Sequence, residues 1–276
     1  MPKRKVIIIL GPTGSGKSDV ALKLAKKCNG FLISADSRQI YKGMDIGTNK
    51  DIGAWQVVDG EERYLVEGVP LYLVDQLEPD QEFTVVDWKN QVIEIINSNP
   101  DKLPIIVGGT GLYISALVNN FSFANVKRDD KNPRHALRTR EDCMTGNPLG
   151  GKPLFDFLQI GINIPREALY KKIDSRVDKM MADGLLDEVK KLNQQGFSWD
   201  LTSISGIGYK QIGMFLRGEI TLEQAIDLIK RDTRHYAKRQ MTWFKRDSNI
   251  KWVKNFEEAE EIACSFLAGL FQKIFK

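Results

Sequence analysis

A short aliphatic run, Val6–Leu10, leads without interruption into GPTGSGKS at Gly11–Ser18, and residues 17–28 follow with partly amphipathic helical spacing. An apolar run with no polar alternation reads as a strand buried on both faces, as in a parallel sheet covered by helices. The residues after it match G-x-x-x-x-G-K-[ST] in full, in the strand-to-helix setting that gives the pattern its meaning. Gly11, Gly14 and Gly16 let the backbone turn its N–H groups onto phosphate oxygens, with Pro12, Thr13 and Ser15 between them. The helix that begins at Lys17 adds unpaired N–H donors and the positive end of its dipole. Lys17 supplies a point charge, and Ser18 offers a hydroxyl to a Mg2+ ion bridging phosphates. A phosphate-bearing ligand follows. Its identity does not, because kinases, ATPases and enzymes that expel diphosphate all use such a loop.

The 276 residues suit one main domain with a smaller appendage. A net charge of +4 permits a nucleic-acid partner without requiring one. Cys28, Cys143 and Cys264 lie far apart with no CxxC pair, which argues against a disulfide scaffold or zinc ribbon. The first apolar run is too short for a secretory leader, and no stretch is long enough to span a membrane. A cytoplasmic enzyme without membrane contact is the expectation.

Phe31–Ser34, Pro70–Asp75, Leu103–Val107 and Phe155–Ile162 read as further strands. Asp75, closing an apolar run, is either a metal-binding aspartate or, the stronger reading, a turn residue. Residues 83–97 carry Val85, Val92 and Ile96 at helical spacing, and GGTG turns into a helix through Asn119. Ser37–Lys50 reads as an irregular loop. Pro165 opens a long helix with Leu169, Ile173, Val177 and Met180 on one face, and the remainder is mostly helical. Residues 122–152, charged and then glycine-rich, mark a boundary or a trimmed insertion. The expected fold class is α/β, a P-loop NTPase-like parallel sheet flanked by helices with a helical C-terminal part.

Five blocks occur in order: GPTGSGKS, ISADSRQIYKGMDIGTNK (Ile33–Lys50), VGGTGLY (Val107–Tyr113), SGIGYKQ (Ser205–Gln211) and TRHYAKRQMTWFKR (Thr233–Arg246). Together they resemble the bacterial tRNA dimethylallyltransferase, or tRNA isopentenyltransferase, family. The resemblance implies a monomeric, Mg2+-dependent enzyme that moves the dimethylallyl group of dimethylallyl diphosphate to N6 of adenosine 37, beside the anticodon of tRNA. It implies that Asp36 is the general base, Thr110 lies near donor and base, and Arg176 reaches the departing diphosphate. Ser37, Arg38, Gln39, Arg134, Lys238, Arg239 and Gln240 complete the set expected at the anticodon stem-loop. Arg38 departs from the apolar residue usual in the family. Tyr113 and Arg176 stand closer in sequence than in relatives, so the helical insertion between them is reduced to a remnant at 122–152, within a core of 1–121 and 153–276.

Taken alone, each residue has a plainer reading. Asp36 suits an Asx-turn, Thr110 a helix N-cap and Arg176 a surface ion pair. Arg231, Arg234, Lys238 and Lys245 suit a solvated helix face, and Trp243 and Phe244 the core. Three other functions compete: prenylation of free AMP or ATP, a small-molecule P-loop kinase, and a nucleotide-dependent RNA-binding switch.

Overall fold

The computed structural model describes residues 3–58, 60–122 and 150–271. Its strands are β1 (Lys5–Leu10), β2 (Gly30–Ala35), β3 (Ala54–Val58), β4 (Glu61–Val66), β5 (Val69–Tyr72), β6 (Leu103–Gly108), β7 (Asp156–Ile162) and β8 (Lys251–Val253). They form one sheet in the order β3-β4-β5-β2-β6-β1-β7-β8. From β5 to β8 all neighbours are parallel; β3 and β4 add an antiparallel hairpin at one edge. The helices are α1 (Lys17–Lys27), α2 (Val85–Ser98), α3 (Gly111–Val118), α4 (Arg166–Ala182), α5 (Leu185–Gln194), α6 (Tyr209–Leu216), α7 (Leu222–Phe244) and α8 (Phe256–Phe271).

Alternate residues of β1 enter two cores. Val6, Ile8 and Leu10 pack under α2, α3 and the helices after α4, whereas Ile7 and Ile9 pack against α1 and α8. Both faces are covered, which is why the strand shows no polar alternation. Leu169, Ile173, Val177 and Met180 of α4 are all buried, as their spacing predicts. Thr84 caps α2 in a reciprocal box with Asp87, and Thr221 caps α7 likewise with Gln224.

The hairpin β3–β4 was not legible from hydrophobic pattern: β3 is almost wholly exposed, and Glu61, Glu62 and Arg63 open β4. The strand expected over Pro70–Asp75 stops at Tyr72, because Leu73 and Asp75 adopt positive φ of 63° and 49°.

In register, Gly108 of β6 lies opposite both Leu10 of β1 and Ala35 of β2, and Leu10 lies opposite Gly161 of β7. The carboxyl ends of these strands are therefore level, and the loops after β1, β2 and β6 share one edge of the sheet. The expected insertion lies mostly outside the described residues, at 123–149. Its flanks meet: Phe121 bridges Gly150, and the Gly151 N–H donates to the Asn120 carbonyl at 3.3 Å.

Candidate active site

The phosphate loop follows β1 and takes the shape its glycines allow. Gly14 and Gly16 have φ of 80° and 83°, a region costly for residues with a Cβ. Lys17 lies inside the loop, its ammonium 3.4 Å from the Pro12 carbonyl. Ser15 Oγ is buried with no hydrogen-bond partner among the described residues. Thr13 is a junction. Its N–H donates to Gln240 Oε1 at 2.9 Å, and its hydroxyl accepts from Arg176 Nη1 at 2.7 Å. α4 thus delivers Arg176 to the phosphate loop rather than to a surface ion pair.

Asp36 follows β2, and its Oδ1 accepts the Arg38 N–H at 2.9 Å. The Asx-turn is real, and Asp36 also lines the cavities on both sides of it. Thr110 precedes α3 but does not cap it through its side chain. Its Oγ1 instead accepts the Ser37 N–H at 3.2 Å, and its N–H donates to the Ala35 carbonyl at 3.1 Å. Thr110 therefore clamps the turn that carries Asp36. Gln39 is held by Ser34 Oγ at 2.9 Å and reaches the Asn49 carbonyl at 3.2 Å, bracing the loop from within. Arg38 donates to the Thr202 carbonyl, which ties this loop to the segment before α6.

Two chambers meet here. One, of about 310 Å³, is lined by Ser37, Arg38, Tyr209 and Arg239. The other, of about 220 Å³, is lined by Lys17, Ser18 and Asp51. Thr13, Asp36, Arg176 and Tyr236 belong to both walls. Burial lowers the Lys17 pKa to about 8 against the opposing pull of Asp36, with Arg176 lowering it further. Burial also lowers Arg176, again opposed by Asp36 and by Asp51. Desolvation raises Tyr236 to about 12, with Asp36 adding to it. Two cations face a desolvated chamber, an arrangement that favours an anion.

The expected RNA-facing helix, α7, divides in two. Arg234 pairs with Asp174 at 2.5 Å and Lys230 with Asp178 at 2.6 Å, so this flank docks on α4. His235, Lys238 and Arg239 are exposed. Gln240 is only 6% exposed; beyond Thr13, its Nε2 donates to the Gly109 carbonyl at 2.9 Å. Trp243 donates to Ser115 Oγ at 3.1 Å and covers Gly111, and Phe244 enters the core, so the plainer reading holds for both aromatics. Arg134 lies outside the described residues. Asp75 is paired with Lys50, as a turn residue rather than a free metal ligand.

A family model described as IPP transferase matches residues 39–149 and 143–247. The tRNA dimethylallyltransferase of Pelotomaculum thermopropionicum is 38% identical over an alignment covering 95% of each chain. The chain belongs to this family. That of Acetivibrio thermocellus is 37% identical, with 93% and 94% coverage of this chain and its own. Among solved structures, the tRNA isopentenylpyrophosphate transferase of Bacillus halodurans is 33% identical with a TM-score of 0.78, covering 98% of this chain and 97% of its own. The Staphylococcus epidermidis enzyme is 34% identical with a TM-score of 0.76, covering 96% and 99%.

Sequence pattern gives no sign of two residues that line or support these chambers. Asp51, after the GTNK stretch, faces the phosphate loop with no spacing signal to mark it. Glu188 of α5 accepts the N–H groups of Asp45, Ile46 and Gly47 at 3.0, 2.7 and 3.0 Å, and the Tyr209 hydroxyl at 2.7 Å. A lone glutamate on an amphipathic helix gives no warning of such a role.

Proposed function

We propose that this protein transfers the dimethylallyl group of dimethylallyl diphosphate to N6 of adenosine 37 in the anticodon loop of tRNA and releases diphosphate. The observation that carries the reading is the common wall of the two chambers. Lys17 and the phosphate loop lie on one side, an opening toward Arg38 and Arg239 lies on the other, and Asp36 stands between them. The loop amides, Lys17 and Arg176 hold the diphosphate in the inner chamber. The adenine, swung out of its stack, enters the outer one. Asp36 accepts the N6 proton as nitrogen attacks the donor's first carbon and the C–O bond to diphosphate breaks. Charge accumulates on the departing group, so Lys17 and Arg176 stabilise the transition state more than the ground state. The segment 37–39 and the exposed Lys238 and Arg239 border the RNA; Gln240 acts from inside, by bracing the loop.

The donor set near Ser18 fits Mg2+: hydroxyl and carboxylate oxygens are hard ligands, and among the described residues no larger His, Cys, Asp or Glu cluster competes for a metal. When bound, Mg2+ at Ser18 would neutralise phosphate oxygens. We place the enzyme in the cytoplasm as a monomer, since one chain builds both chambers and no described helix is long and apolar enough to cross a membrane. The meeting flanks at Phe121 and Gly150 support an insertion at 122–152. The alignment with the Pelotomaculum relative runs over 307 positions while taking in 95% of the 276 residues here, so part of the relative faces gaps in this chain, as a shortened insertion requires.

The test is to incubate the protein with labelled dimethylallyl diphosphate, Mg2+ and either an A36-A37 anticodon stem-loop or AMP. The expected result is prenyl mass on the stem-loop adenine, lowered about 10²- to 10⁴-fold in Asp36→Asn. Product on AMP alone, or phosphoryl transfer from ATP, would overturn the reading.

A further inference from the structure

We propose that Asp51 is the protein carboxylate that joins Ser18 in holding the divalent cation accompanying the donor's diphosphate. The inference rests on the proposed function, in which the loop cradles a diphosphate.

Phosphate-loop enzymes commonly pair the loop hydroxyl with an aspartate from a neighbouring strand. Here β6, beside β1, ends in Gly108 and runs on through Gly109 to Thr110, without a carboxylate. Asp36, after β2, has one oxygen in its turn and faces both chambers. Asp75, after β5, is committed to Lys50. Asp51 instead lines the inner chamber together with Ser18 and Lys17.

The chain around it is held from both sides. The Lys50 ammonium, buried, donates to the Tyr41 carbonyl at 3.0 Å and to Asp45 at 2.5 Å. The Tyr64 hydroxyl donates to the Asp51 carbonyl at 3.0 Å and accepts the Gly53 N–H at 3.1 Å. Ile52, between them, is 94% exposed, so the backbone turns Asp51 inward and its neighbour out. A half-buried carboxylate at such a place is costly without a cation, and Lys17 is already needed for phosphate. Hydroxyl, carboxylate, phosphate oxygens and water make the mixed oxygen shell that Mg2+ takes.

Mn2+ serves as the spectroscopic probe, with inorganic pyrophosphate in place of the donor. Electron paramagnetic resonance titrations compare the wild-type chain with Asp51→Asn, Asp51→Glu and Asp19→Asn, each checked for an unchanged thermal midpoint. Asp51→Asn is expected to weaken Mn2+ binding to the protein–pyrophosphate complex by roughly tenfold or more. Pyrophosphate binding without metal should be unchanged or tighter, because a negative charge has left the chamber. Asp51→Glu, which keeps the carboxylate, should retain most of the Mn2+ affinity. Equal Mn2+ affinity in Asp51→Asn, an equal loss in Asp51→Glu, or a loss that follows Asp19→Asn instead would each overturn the assignment. So would a fall in metal-free pyrophosphate binding as large as the fall with Mn2+, which would make Asp51 a partner of Lys17. The assay contains neither tRNA nor a prenyl group. A wild-type chain that binds no pyrophosphate therefore sinks the parent reading as well, whereas intact Mn2+ binding in Asp51→Asn sinks this one alone.

Discussion

Lys17 sits where burial opposes its charge, and its pKa of about 8 lies below the ordinary lysine range for that reason. In the free enzyme the ammonium is charged below pH about 8 and is lost as pH rises through that value. A bound diphosphate favours the charged form and moves the transition upward. The second-order rate constant for the donor, kcat/KM, should therefore fall above pH about 8, while the matching limb of kcat lies higher. Steady-state pH profiles check both, and coincident limbs would count against Lys17. Asp36 has a plain role that leaves room for the proposed chemical one: one oxygen makes a turn, and the residue still faces both chambers.

At the scale of elements, α7 is tied to two loops through one amide. Gln240 receives the Thr13 N–H and donates to the Gly109 carbonyl, joining the helix to the turns after β1 and β6. Gln240→Leu leaves both groups unpaired, at a cost of about 1–3 kcal/mol each before relaxation. Urea denaturation should show a loss on the order of 2 kcal/mol, with kcat reduced and affinity for the stem-loop nearly unchanged. A selective loss of RNA affinity at unaltered stability would instead put this side chain on the RNA.

Over the whole molecule, the net charge of +4 understates how the cations are divided. Lys230 and Arg234 are consumed in docking α7 to α4, while Lys238 and Arg239 remain exposed beside the outer chamber. Replacing Lys238 and Arg239 by alanine should weaken stem-loop binding evenly across sequences. The slope of log K against log salt should shrink by roughly 0.7 to 0.9 for each phosphate that is no longer neutralised. Filter-binding titrations across salt concentrations measure this, and an unchanged slope would place the RNA on another surface.

Sequence by itself settled the sheet-and-loop framework, because a strand buried on both faces and the glycines of GPTGSGKS leave the backbone few alternatives. The ordered blocks also singled out Asp36 and Thr110, and the resemblance they carry pointed to Arg176 on the helix that Pro165 opens. It could not reveal the hairpin β3–β4, whose edge position removes the pattern that burial imposes. Nor could it separate Arg234, paired across helices, from Arg239, which has no ion-pair partner among the described residues and lies over the Tyr236 ring of its own helix, or mark Asp51 and Glu188. Those assignments depend on what folding brings alongside each side chain, and proximity between residues distant in sequence leaves no local period to read. Only the tertiary structure set Asp51 against the phosphate loop.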